Sequence, residues 1–353
     1  MRAPFAAWEL PMGSRCWIRG ALVAGVALLT SACGDSGPAP AGPATSDALA
    51  VDAAGDEGTG LADVTIDTTT DSDAATGPEV PAATDVVVDL GPVATGPIGG
   101  DRPAAVTLPE DYTHAEEWPL VILLHGLGAN GFIQDAYLQF SAQATTLGFV
   151  AVVPEGTTGP DGKQFWNAML ACCDFYGTGV DDEAYLLSLI DEAKGLWNID
   201  PERVFFMGHS NGGYMSYRMA CNNADIVAGL VSIAGSSFPT SADCAPSQPV
   251  KVLQAHGSLD TVVAYSGTAF TPGAQALVDR WVARNQCTSG PVDGGTGDYD
   301  TAVPGEETTI TWHRDCADGA EVGFFDMAGT GHIPTFTDTF IVDALTWLLG
   351  TPN

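Results

Sequence analysis

From about residue 101 onward, short apolar runs alternate with stretches of helical spacing. Residues 119–124, 149–153, 204–207, 229–234, 250–255 and 321–327 are near-continuous apolar runs, short enough for strands buried on both faces. Residues 132–147, 181–194, 214–221, 273–285 and 335–349 carry helical patterns between and after them. Asp181 and Asp182 are placed to cap the second of these helices. Residues 308–313 read as one more strand, with alternating exposure. Strands alternating with helices predict an α/β fold, with a mainly parallel sheet covered by helices on both faces.

The first hundred residues follow other rules. In residues 1–33, Arg15 and Arg19 precede an apolar core from Ala21 to Leu29 and the small residues Thr30-Ser31-Ala32-Cys33, the order of a bacterial export signal. The core is too short for a permanent span. The ending resembles a lipobox with Cys33 as the lipidated residue, and ordinary signal-peptidase cleavage is the alternative because Thr30 stands where Leu is usual. A lipid at Cys33 is the only membrane attachment expected. Residues 34–100 are Ala, Asp, Gly, Thr and Pro with almost no aromatics, a composition that buries too little apolar surface to order itself; they read as a disordered acidic linker. The domain is then expected over residues 101–353. The whole chain carries a formal charge of −32, which repels phosphate backbones and argues against nucleic acid as a partner.

Candidate chemistry centres on Gly208-His209-Ser210-Asn211-Gly212. A Gly-x-Ser-x-Gly between a strand and a helix is the context of a nucleophile elbow, where the turn is too tight for side chains two positions either side of the serine. In such hydrolases an acid and then a histidine follow the serine along the chain. Asp260, after the strand at 250–255, is the expected acid. Beyond it only His313 and His332 remain, and His332 sits in the glycine-rich loop Gly329-Thr330-Gly331-His332, so it is the expected base. The oxyanion of an attacked ester requires donors, expected from the backbone N–H groups of Asn211 and Leu127. His125, His209 and His256 read as loop braces or packing rather than chemistry.

These motifs, with Phe165-Trp166-Asn167, Cys172-Cys173, Gly179-Val180-Asp181-Asp182, His256-Gly257-Ser258-Leu259-Asp260 and Gly331-His332, resemble the secreted poly(3-hydroxybutyrate) depolymerase and feruloyl esterase branch of the α/β-hydrolases, in the family's order from about residue 101 to the end. The resemblance implies a triad of Ser210, Asp260 and His332 and ester hydrolysis through an acyl-enzyme; an oligomeric or polymeric ester is the expected substrate, no cofactor is expected, and no metal is expected because no His or further Cys sits at ligand spacing from Cys172 and Cys173. Trp166 is the candidate substrate contact. Ile333-Pro334-Thr335-Phe336 departs from the family, which often has an aromatic and a proline after its histidine.

Six cysteines lie beyond residue 33, and in an exported domain disulfides are expected. Cys221–Cys244 and Cys287–Cys316 are the favoured pairs, while Cys172 and Cys173 either bridge each other or pair elsewhere. Two other function classes remain at this point: a serine peptidase on the same fold, and a non-catalytic surface binding module.

Overall fold

The computed structural model describes residues 93–350 and, ahead of them, the backbone of three strands within residues 7–33. Those strands, β1 (Ala7–Met12), β2 (Cys16–Val23) and β3 (Val26–Cys33), pair antiparallel as a separate small sheet. The expected apolar core of the export signal is shared between β2 and β3, and Cys33 ends β3; its side chain lies outside the described residues, as does the expected linker over residues 34–92.

Residues 93–100, expected as the end of the linker, make ordered contacts with the residues that follow. Ile98 is 2% exposed and pairs with Ala104 in both directions, and the Trp197 indole N–H donates to the Ala94 carbonyl. One buried isoleucine and an indole partner are enough to tie residues 93–100 to the domain, which a composition average over 34–100 conceals.

The main sheet has nine strands: β4 (Ala105–Thr107), β5 (Trp118–Leu124), β6 (Val150–Val153), β9 (Ile199–His209), β10 (Gly229–Ile233), β11 (Lys251–Gly257), β12 (Ser289–Gly297), β13 (Thr308–Arg314) and β14 (Val322–Met327). Its order is β12-β13-β14-β11-β10-β9-β5-β6-β4. The six strands from β14 to β6 run parallel; β4 at one edge pairs antiparallel with β6, and at the other β13 runs antiparallel to both β14 and the outermost β12. A two-stranded ribbon, β7 (Thr157–Thr158) and β8 (Gln164–Phe165), stands apart. Six α-helices are found among the described residues: α1 (Gly131–Leu138), α2 (Ala144–Leu147), α3 (Asp182–Leu196), α4 (Asn211–Asn222), α5 (Ala274–Arg284) and α6 (Asp338–Leu349).

The parallel strands are mainly apolar because both faces are covered. In β5, Leu120, Ile122 and Leu124 join the core under α3, α4 and α5, while Val121 and Leu123 join the core under α1 and α6. Val204 and Phe206 of β9 face the first core, Phe205 and Met207 the second. This period-two division keeps each strand's register, since a slip of one residue would exchange the two faces.

β4, β7 and β8 are absent from the sequence reading, and two larger elements depart from it as well. The helix expected over residues 132–147 breaks after α1, where Gln139 turns left-handed (φ 52°). The Asp135 carboxylate accepts from the Ser141 N–H (2.8 Å) and hydroxyl (2.7 Å), and Phe140 turns into the core; buried phenylalanine and a local carboxylate cap outweigh helical spacing. β12 is also absent from the sequence reading. Its sequence, Ser-Gly-Pro-Val-Asp-Gly-Gly-Thr-Gly, has no strand propensity, and pairing with β13 is what extends it.

Candidate active site

The site lies at the carboxyl ends of β5, β9, β11 and β14, the edge where open α/β sheets hold ligands. β9 delivers Ser210. Its N–H donates to the Ile233 carbonyl (2.8 Å), its backbone is held at φ 54°, ψ −117°, and α4 starts at the next residue. A non-glycine residue in that region is strained, and the surroundings must impose it. Two glycines permit the close approach. A Cβ on Gly208 would lie 2.3 Å from the Gly212 carbonyl, and one on Gly212 would lie 2.1 Å from the Leu124 oxygen.

The loops after β11 and β14 bring Asp260 and His332 to this serine. His332 Nε2 is 2.9 Å from Ser210 Oγ, and His332 Nδ1 is 2.7 Å from Asp260 Oδ2. Asp260 is only 4% exposed, yet both its oxygens are partnered. Oδ1 accepts from the N–H groups of Val262 (2.8 Å) and Val263 (2.9 Å); Oδ2 faces His332 and, at 3.3 Å, His256 Nε2. Burial alone would raise its pKa, but the bonds from His256 and His332 outweigh burial and hold the carboxyl well below the usual range. An ionised Asp260 only accepts, so His332 carries its proton on Nδ1 and presents the Nε2 lone pair to the serine hydroxyl.

Three other histidines, His256, His209 and His125, brace this arrangement. His256 Nδ1 receives a hydrogen bond from Gln254 Nε2, so its Nε2–H is free to donate to the Val263 carbonyl (2.9 Å) and toward Asp260. His209 Nε2–H donates to the His332 carbonyl (2.9 Å), and burial pushes the His209 pKa down to about 4, so the ring is neutral. Tyr137 completes the support of that loop by donating to the Pro334 carbonyl (2.7 Å). His125 accepts from the Gly156 N–H at Nε2 (2.9 Å) and donates from Nδ1 to the Gly126 carbonyl (2.8 Å); burial lowers its pKa as well.

A cleft of about 590 Å³ opens above Ser210. Its walls include Leu127, Ile133, Tyr214, Phe175, Val262 and Ile333, with no lysine or arginine among the lining residues. Leu127 lines the mouth, and neither its N–H nor that of Asn211 meets a protein acceptor among the described residues. The sequence reading missed Gln134, whose Oε1 accepts from the Gly126 N–H (3.2 Å) and whose Nε2 has no partner among the described residues; a lone glutamine on a helix carries no signal of such a place.

Trp166 is not in the cleft. It is fully buried beneath it, with its indole N–H donating to the His125 carbonyl (3.0 Å), and the cleft wall on that side is Ala171, Cys172, Cys173 and Phe175. The indole N–H found a buried partner, and the loop that follows the tryptophan covers the ring. Cys172 and Cys173 are joined to each other, and Cys221–Cys244 and Cys287–Cys316 are the other two disulfides among the described residues.

Comparison with known proteins agrees with this architecture. The family model described as phospholipase/carboxylesterase matches residues 112–281. Acyl-protein thioesterase 1 of Mycosarcoma maydis is 30% identical over 171 residues, which are 41% of this chain and 70% of that protein. The chain belongs to the phospholipase/carboxylesterase family. Its sheet and crossing helices are accordingly an α/β-hydrolase fold. This carboxylesterase-family chain is also 27% identical to feruloyl esterase B of Piromyces equi over 246 residues, 65% of the chain and 42% of that protein. It is 30% identical to poly(3-hydroxyalkanoate) depolymerase C of Paucimonas lemoignei over 120 residues, 34% of the chain and 28% of that protein. The matched stretches are thus less than half of the feruloyl esterase and of the depolymerase.

Proposed function

We propose that this chain is a serine esterase that cleaves carboxylic esters through an acyl-enzyme, with Ser210 as nucleophile, His332 as general base and Asp260 as its anionic partner. The observation that carries the reading is the unbroken hydrogen-bonded line from Ser210 Oγ through His332 to Asp260, at 2.9 and 2.7 Å. Ser210 Oγ attacks the ester carbonyl as its proton passes to His332 Nε2. Asp260 stabilises the imidazolium so formed. The carbonyl oxygen gains negative charge and is met by the Asn211 and Leu127 N–H groups. His332 then returns the proton to the departing alcohol, and water repeats the sequence on the acyl-enzyme.

Uncharged acyl groups suit the cleft, since apolar walls without a cation give a free carboxylate no compensation for lost water. Hydroxyalkanoate oligomers or polymer and feruloyl or acetyl esters of polysaccharides are the substrate classes of this proposal, in keeping with the names of the depolymerase and feruloyl esterase relatives. Export to an oxidising compartment belongs to it as well and is supported by three disulfides in the domain, with Cys33 as the anchor point. Release of p-nitrophenol from acetyl, butyryl and feruloyl-type esters, wild type beside Ser210→Ala, tests the chemistry. Turnover that disappears in the variant is expected. A folded wild type inert on all three, or a Ser210→Ala variant that keeps its rate, refutes it.

A further inference from the structure

Both oxyanion donors depend on chain segments far apart in sequence, and one residue touches both. We propose that Trp166 is the positioning residue that holds the Asn211 and Leu127 N–H groups in a fixed mutual geometry; this rests on the esterase reading above.

On one side, Trp166 grips Asn211 by its backbone. The Trp166 N–H donates to Asn211 Oδ1 (2.7 Å), and Asn211 Nδ2 donates back to the Trp166 carbonyl (2.9 Å) and toward Cys172 Sγ (3.4 Å). A two-way bond of this kind fixes the plane of the carboxamide, and through it the first residue of α4, whose N–H is the donor. On the other side, the indole N–H holds the His125 carbonyl, two residues before Leu127. The His125 ring packs 5.0 Å from the indole and is itself tied to Gly126 and Gly156.

The bridge rests on a rigid base. The next residue's N–H, that of Asn167, donates to Asp182 Oδ2 (2.7 Å), while Asp182 Oδ1 pairs with Arg102 (2.7 Å). Trp166, His125 and Asn211 are all fully buried, so water cannot replace a deleted bond and the partner would be left unpaired. The cleft above Ser210 is lined by other side chains, among them Tyr214, Val262 and Val263. Disturbing the bridge therefore misplaces the donors for the transition state and leaves ground-state contacts in place.

Trp166→Phe keeps an aromatic ring and removes the N–H. With active sites counted by titration with a fluorophosphonate, kcat is expected to fall about tenfold with KM within about twofold, a fraction of the loss from deleting an oxyanion donor outright. Affinity for an alkyl boronic acid, whose serine adduct is tetrahedral, should fall in parallel; a purely structural role would lower stability and titratable sites without moving either. Asn211→Ala, which keeps the backbone donor and removes the carboxamide, tests the same bridge if the first variant does not fold, and the same pattern is expected. Unchanged kcat and boronate affinity per titrated site in a folded variant, or a raised KM at unchanged kcat, overturns the inference alone. Absence of wild-type ester turnover overturns it together with the reading beneath it.

Discussion

Replacing Asp260 by asparagine should do at least as much harm as removing its side chain, and the hydrogen bonds say why. Oδ1 of Asp260 accepts from two backbone N–H groups, those of Val262 and Val263. In Asp260→Asn the carbonyl oxygen of the amide must occupy that place, because an NH2 there would face two donors. The NH2 is therefore directed at His332 Nδ1 and His256 Nε2, where the carboxylate oxygen had been. His332 can accept only by moving its proton to Nε2, the nitrogen that faces Ser210 Oγ at 2.9 Å. The base is then blocked. The imidazolium of the transition state also loses its counter-charge, which at about 4 Å between charge centres and an effective dielectric of about 20 amounts to roughly 4 kcal/mol. At 1.36 kcal/mol per tenfold, kcat should drop by about 10³. Asp260→Ala loses the charge but leaves His332 free to choose its tautomer, so it should retain at least as much activity as the asparagine variant. The assay is kcat on p-nitrophenyl butyrate, with near-UV circular dichroism to establish folding. A folded Asp260→Asn enzyme within tenfold of wild type would refute the role given to Asp260, and one clearly more active than Asp260→Ala would refute the tautomer argument.

Two further outcomes concern stability. His209 has a pKa of about 4 in the folded chain against an ordinary 6.5, so between those values the unfolded chain binds the extra proton; its contribution is fully present above pH 6.5 and is lost as pH falls toward 4, by up to about 3 kcal/mol. His209→Gln should flatten that part of the stability curve in urea titrations, and an acid limb identical to wild type would contradict the assignment. Cys287 and Cys316 close a loop of sequence separation 29, so replacing both by alanine should cost about 3–4 kcal/mol on the chain-entropy model, read as a lower denaturation midpoint under non-reducing conditions; an unchanged midpoint would show that the bridge does not stabilise the fold.

The apolar runs of the parallel strands were legible in the chain because strands buried on both faces hold few polar residues, and β5, β6, β9, β10, β11 and β14 stand where those runs lie. The Gly208 and Gly212 positions were legible for a similar reason: only glycine fits backbones that approach so closely. The serine motif, an acid after one strand and a glycine-flanked histidine after another could be named in order, since each sits at a strand end that periodicity locates. What each buried polar group touches could not be read, because hydrogen-bond partners come from distant segments. Trp166 shows the limit. Its neighbours in sequence mark it as part of a motif, but whether its ring faces a substrate or the underside of the site depends on the loop at 166–173 folding over it. His256, four residues before Asp260, became a partner of the carboxylate only through the turn that brings Val262 and Val263 back onto it. β12 and the break at Gln139 belong to the same class: one is a strand made by its neighbour, the other a helix ended by a side chain's preference for the core. Local pattern marked most of the strands and where the reactive groups could lie; tertiary packing decided which polar atoms meet, because an unpaired buried polar group is costly and most find a partner.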